Sequence, residues 1–145
     1  ARWQKSQLSV YDVGFMIAPR LNAAGRLSTA HYGVQLLLSQ TTEEAKKIAQ
    51  YLERINQQRK QLDASVVQDS LSVVDQSGHY SQQKSLVLGK HGWHAGVIGI
   101  AASKLVQAFA KPVVIVGIDD NVGRGSARSF GNINILCMKS LLLRL

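Results

Sequence analysis

Three short stretches carry residues whose types and spacing suit the handling of an anion. In Lys90-His91-Gly92-Trp93-His94-Ala95-Gly96, a Trp-His pair sits between two glycines. The apolar segment that follows has helical spacing, and a helix start offers unpaired N–H groups and a partial positive charge. Two readings stand side by side: an anion-binding turn, or a plain strand-to-helix connection with Trp93 packed over a sheet and His94 as a cap. In Gly123-Arg124-Gly125-Ser126-Ala127-Arg128-Ser129, an extended backbone points Ser126 and Arg128 to one face. A hydroxyl beside a guanidinium suits phosphate oxygens. The spacing is not that of a P-loop, since no Lys follows the glycines. The other reading is the basic edge of a β-hairpin. The third stretch is Pro19-Arg20-Leu21-Asn22-Ala23-Ala24-Gly25-Arg26, read as a glycine-containing loop on which Arg20 and Arg26 grip a phosphate or pair with carboxylates.

These stretches need elements to hold them. Ser9 and Asp12 resemble a capping box ahead of Val10, Val13, Phe15, Met16 and Ile17, a helix that Pro19 ends or kinks. Ser28 or Thr29 caps a short helix through Leu38. From Thr41, with Glu44 as its capping partner, positions 45, 48, 52, 55, 59, 62, 66, 69 and 73 advance by threes and fours. Arg59 and Asp69 interrupt this otherwise apolar stripe. A helix from Thr42 to about Val74 is roughly 50 Å long at 1.5 Å per residue, which suits a spacer or packing helix, with a coiled-coil dimer as the competing explanation. Asp75–Gln83 is a polar boundary. Beyond it come a strand over Ser85–Leu88, the Trp-His turn, a helix over Val97–Phe109 and a strand over Pro112–Gly117, which together make a βαβ unit. A turn over Ile118–Asn121 follows, and Ile133–Leu145 suits a buried helix.

Charge points to a partner. Residues 1–80 hold 9 basic and 7 acidic side chains, a net of +2, and residues 81–145 hold 8 and 2, a net of +6. A positive field concentrated in one half favours a polyanion, nucleic acid first. No apolar run approaches the roughly 20 residues of a membrane span, and the first residues lack the apolar core of a signal peptide. The expectation is a soluble, cytoplasmic protein with no membrane partner. The single Cys137 excludes an internal disulfide framework and reads as a buried filler. His31, His79, His91 and His94 have no chelating spacing, so no metal site is expected within the chain.

Taken together, Gly14–Arg26, Trp93–Ile100 and Gly125–Ser129 resemble, in order and spacing, the RecJ family of single-strand-specific exonucleases in the DHH phosphoesterase superfamily. Leu36–Leu38 and Asn56–Arg59 add to the likeness. The resemblance implies an α/β fold. Residues 1–38 would be the C-terminal remnant of a DHH domain, 39–78 a long connecting helix, and 84–145 a DHHA1-like nucleic-acid-binding domain, truncated at its end. It also implies that Arg20, Asn22, Arg26, Trp93, His94, Gly125, Ser126, Arg128 and Ser129 face DNA phosphates, with His94 near the scissile one. The family's Mn²⁺ or Mg²⁺ is held by DHH motifs absent here, so the chain alone is expected to be inactive and to need a DHH half as partner.

The implied activity is metal-dependent 5′→3′ hydrolysis of single-stranded DNA in repair and recombination. Two alternatives are a noncatalytic single-strand-binding or assembly module, and a phosphodiesterase for short oligonucleotides or cyclic dinucleotides. Exposed apolar faces and self-association are expected where a DHH core would pack.

Overall fold

The computed structural model describes residues 7–78, 80 and 82–135. His79, Cys137 and most of the helix expected over 133–145 lie outside the described residues. The chain divides into two compact units, Ala1–Lys60 and Gln61–Leu145, with the division inside one long helix.

In the first unit, Ser9 and Asp12 make the capping pair expected of them. The Asp12 N–H donates to Ser9 Oγ at 3.2 Å, and the Ser9 N–H and hydroxyl donate to Asp12 Oδ2 at 3.0 and 2.7 Å. A π-helix over Asp12–Ile17 then runs directly into α1, Ala18–Leu27. The loop expected over 19–26 is therefore helix. Pro19 sits at the start of α1, directly after the π-turn, and the helical run passes through it. Ala23 and Ala24 are fully buried, so the small residues form a packing face. Helix α2, His31–Leu38, begins where the Thr29 hydroxyl accepts the His31 N–H at 3.3 Å. Around these helices Val10, Phe15 and Leu37 are 91, 67 and 72% exposed, an apolar surface of the kind expected.

Helix α3, Thr42–Ser77, is capped as expected: the Glu44 N–H donates to Thr41 Oγ1 at 3.2 Å. Every stripe position from 45 to 69 is buried or half-buried, and Val73 is exposed. The periodicity did not reveal a second row, Asn56, Asp63 and Ser70, which is buried at seven-residue spacing. Each of these finds a partner. Asn56 Oδ1 accepts from Arg59 at 3.1 Å, Asp63 Oδ2 accepts from Lys104 Nζ at 2.5 Å, and the Ser70 hydroxyl donates to the Val66 carbonyl at 2.7 Å.

The second unit is the βαβ arrangement with a hairpin added. Strand β1, Leu86–His91, pairs in parallel with β2, Val113–Asp119, across the helix α4, Ala95–Phe109, and β2 pairs antiparallel with β3, Val122–Arg128. The sheet order is β1-β2-β3. Lys90 and His91, assigned to the turn on sequence, continue β1, because β2 offers pairing partners as far as Ile118. Asp120 and Asn121, with φ of 45 and 63°, close the hairpin in the left-handed conformation whose twist suits paired strands. Leu86, Leu88, Val97, Ile98, Leu105, Val113 and Ile115 form the core. Each contributes roughly 1.5–3 kcal/mol on full burial.

One position on β2 admits only glycine. A Cβ built on Gly117 lies 2.0 Å from the Trp93 carbonyl oxygen. Both groups are backbone, so neither can swing aside. Gly117→Ala is expected to destabilise the second unit by about 3 kcal/mol or more, the upper end of overpacking effects. Urea unfolding followed by Trp fluorescence measures this, and a loss below about 1 kcal/mol would show that the turn relaxes around the methyl.

Candidate nucleic-acid interface

The Trp-His turn is fixed from two sides. Gly92, at φ 78°, turns the chain out of β1, and the Trp93 backbone then lies against Gly117. The Trp93 side chain is only 4% exposed and its indole N–H donates to Asp69 Oδ2 on α3 at 3.0 Å. A buried indole needs such an acceptor. Lys90 Nζ reaches the same oxygen at 2.8 Å. Asp69, an interruption of the stripe in the sequence, is thus the residue that ties the turn to α3. Its carboxyl is held below the usual aspartate range by the Lys90 hydrogen bond first and the Trp93 N–H second, against a smaller opposing effect of burial.

His94 follows as the N-cap of α4. Its Nδ1 accepts the Gly96 N–H at 3.0 Å, and its backbone is extended before the helix begins. Nδ1 acting as acceptor leaves Nε2 to carry the ring proton on an exposed imidazole. Both features of the plain-connection reading, a packed Trp93 and a capping His94, are present. They coexist with an outward N–H donor beside a helix start.

Ser126 and Arg128 do share one face of β3. Arg128 Nη1 donates to Ser126 Oγ at 3.2 Å and to the Ala127 carbonyl at 2.8 Å, and Nε donates to Ser103 Oγ of α4 at 3.3 Å. Ser103 in turn donates to the Gly99 carbonyl at 3.0 Å. A Cβ on Gly99 would stand 3.0 Å from both Arg128 Nη2 and Ser126 Oγ. Gly99 and Ser103 therefore seat the guanidinium against α4, while Arg128 as a whole stays exposed. The sequence offered no signal for this seat beyond an unexplained glycine in a helix. Gly125 lies in regular strand, where an added Cβ would make only ordinary contacts, so no special backbone freedom is used there. Ser129 is exposed just past the strand. Arg124 lines a separate hollow of about 430 Å³ with Ala95, Asp119 and Asp120; its two carboxylates oppose an anion.

In the first unit, helical geometry separates the residues that a loop would have gathered. Arg20 donates from Nε to Glu53 and from Nη1 to the Met16 carbonyl, the carboxylate-pairing arrangement. Burial pushes the Glu53 carboxyl up, but the hydrogen bond and charge of Arg20 outweigh it and carry the pKa below the usual range. Asn22 and Arg26, four residues apart, lie on one face of α1, and both are exposed. Among the described residues no three His, Cys, Asp or Glu side chains are grouped to hold a metal ion. These residues do not fit a divalent-metal centre.

Comparison with known proteins finds a matching family model and similar proteins. The DHHA1 domain family matches residues 80–137. The single-stranded-DNA-specific exonuclease RecJ of Bacillus subtilis (strain 168) is 40% identical over 125 residues, covering 85% of this chain and 16% of that protein. RecJ of Dickeya dadantii (strain 3937) is 35% identical over 133 residues, covering 90% and 23%. Among solved structures, exonuclease RecJ bound to manganese superposes with a TM-score of 0.76 at 34% identity, covering 88% of this chain and 31% of that one. RecJ in complex with Mg²⁺ from Thermus thermophilus gives 0.74 at 31%, covering 90% and 20%. Residues 80–137 match the DHHA1 domain family, and the chain is similar to RecJ over most of its length. It spans under a quarter of either curated relative. The matched segment includes Trp93, His94, Gly125, Ser126, Arg128 and Ser129, and Arg20, Asn22 and Arg26 precede it.

The Asp69 tie in this RecJ-like chain has a pH signature. A depressed carboxyl pKa stabilises the fold above the unfolded value, ordinarily 3.8, and that contribution is lost as pH falls through 3.8 toward the lower folded value. Asp69→Asn keeps an acceptor for the indole but removes the charge. The variant is expected to melt below the parent at neutral pH, with the gap narrowing as pH drops under 3.8. Thermal melts across that range check it, and a gap that does not change with pH would remove the charge from the account.

Proposed function

We propose that this chain is the DNA-holding part of a single-strand-specific 5′→3′ exonuclease, acting in the cytoplasm in DNA repair and recombination. The observation that carries the reading is the seated Arg128–Ser126 pair: a guanidinium held in place by α4 yet exposed, beside a hydroxyl, on the basic half of the chain. Such a pair offers several N–H and O–H donors to one phosphate in fixed directions. The relatives' name, single-stranded-DNA-specific exonuclease, supports the choice of ligand. Ser129, the Gly125 backbone and the outward Nε2 of His94 extend the same phosphate-facing surface. Trp93 acts through position, since it holds the turn that presents His94. Asn22 and Arg26 form a second contact on α1, and Arg20 supports it through its pairing with Glu53.

Among the described residues no helix is long and apolar enough to cross a membrane. A noncatalytic single-strand-binding or assembly module is the second reading, since the Arg128–Ser126 pair can hold a strand without any chemistry.

Phosphate contact predicts a particular salt dependence. Loss of one single-strand phosphate contact makes the slope of log affinity against log salt shallower by about 0.7. Arg128→Ala is expected to weaken binding of an oligo-dT strand and to show that change in fluorescence-anisotropy titrations at several salt concentrations. An unchanged slope would return Arg128 to a purely structural role.

Separating the two readings takes an activity assay. The chain alone is expected to release no nucleotides from a single strand in Mn²⁺, and a separately expressed DHH half is expected to restore 5′-end release when mixed with it. Hydrolysis by the chain alone would overturn the first expectation. Failure of a folded DHH half to restore activity would favour the binding module.

A further inference from the structure

We infer that the exposed face of α3 around Tyr51 is a second contact for single-stranded nucleic acid, taking both base and phosphate. The inference rests on the single-strand reading above but on different residues in the first unit. Gln50 and Tyr51 lie three and four residues after Lys47 and four and three before Arg54, so the four share one face, and they line one shallow hollow of about 450 Å³. Leu52 and Asn56, which α3 buries here, point away from this face, and Ile55 borders it.

The chemistry on this face is that of a stacking platform. The Arg54 guanidinium lies over the Tyr51 ring, 5.3 Å from its centroid, and Tyr32 of α2 approaches the same ring at 4.5 Å with a tilt of 46°. The Tyr51 hydroxyl is fixed by Ser28 Oγ at 2.9 Å. The cluster is thereby held in one arrangement before any ligand arrives. A guanidinium lying over a ring presents its outer face to a base and its edge N–H groups to a phosphate. Part-exposed tyrosines accept any base, because every base has a π-face. Lys47 adds a second cation one turn away, and the amides of Gln50 and Gln58 supply neutral donors and acceptors.

Charge decides in favour of an anion. Among the described residues, neither Lys47 nor Arg54 is in a salt bridge. From Lys47 to Gln58 the only carboxylate on α3 is Glu53, which is directed to Arg20. Glu43 and Glu44, four and three residues before Lys47, mark the acidic end of the face. A duplex keeps its bases stacked on one another, so accessible rings beside cations suit a single strand better.

The test uses the whole chain and oligo-dT carrying one 5-iodouracil. Lys47, Arg54 and Arg128 are exposed, so their alanine variants are expected to fold, which far-UV circular dichroism checks. The double variant Lys47→Ala, Arg54→Ala is expected to lose about 1.4 from the salt slope, two single-strand contacts at about 0.7 each. It should do so equally in the presence and absence of Arg128→Ala. Photocrosslinking followed by mass spectrometry is expected to mark Tyr32 or Tyr51. A parental slope in the double variant, or crosslinks confined to residues 80–137, would overturn the inference and leave this face to a protein partner. The Arg128 reading would stand as long as Arg128→Ala weakens binding. No single-strand binding by the unsubstituted chain would overturn both.

Discussion

The contact on which the second unit depends is the one between the Trp93 backbone and Gly117. A main-chain carbonyl lies where any other residue's Cβ would be, so β2 and the turn after β1 meet more closely than side chains allow. That approach buries the indole, and a buried indole N–H must find an acceptor. Asp69 provides it, and Lys90 offsets the charge that Asp69 brings. From there the positions follow in order. The turn sets His94 at the helix cap, the cap sets where α4 starts, and that start places Gly99 and Ser103 under the Arg128 guanidinium.

A second tie keeps this arrangement from sliding. Lys104 on α4 reaches Asp63 on α3, a residue 3% exposed, so α4 is linked to the long helix along its length while the turn before it is held at Asp69. The other Asp63 oxygen has no hydrogen-bond partner among the described residues. A buried carboxylate so placed adds little net stability, and its effect lies in penalising any register that pulls Lys104 away. The polar residues of α3 thus do more to specify the alignment of α4 than the apolar stripe, which would tolerate small shifts.

How legible this was depends on the kind of signal. The stripe of α3, the βαβ order and the Ser126–Arg128 alternation follow from period and spacing alone, and all appear in the structure. The segment over 19–26 reads as a loop but folds as helix because proline and glycine are ambiguous punctuation. Pro19 commonly stops a helix, but here it follows a π-turn and the helical run continues through it. Asp69 stands as a fault in an apolar pattern because its partners, Trp93 and Lys90, lie outside the helix and are not visible to its periodicity.

The sequence by itself determined which residues offer chemistry, the succession of elements that carries them, and the likeness to RecJ. These are local or additive properties, readable from residue type, spacing and charge. Only the tertiary structure decided that Arg20 pairs with Glu53, that Trp93 turns inward while His94 turns outward, and that Gly99 makes room for a guanidinium. Each of those outcomes turns on an approach of a few ångströms between segments far apart in the chain, and no local pattern encodes such a distance.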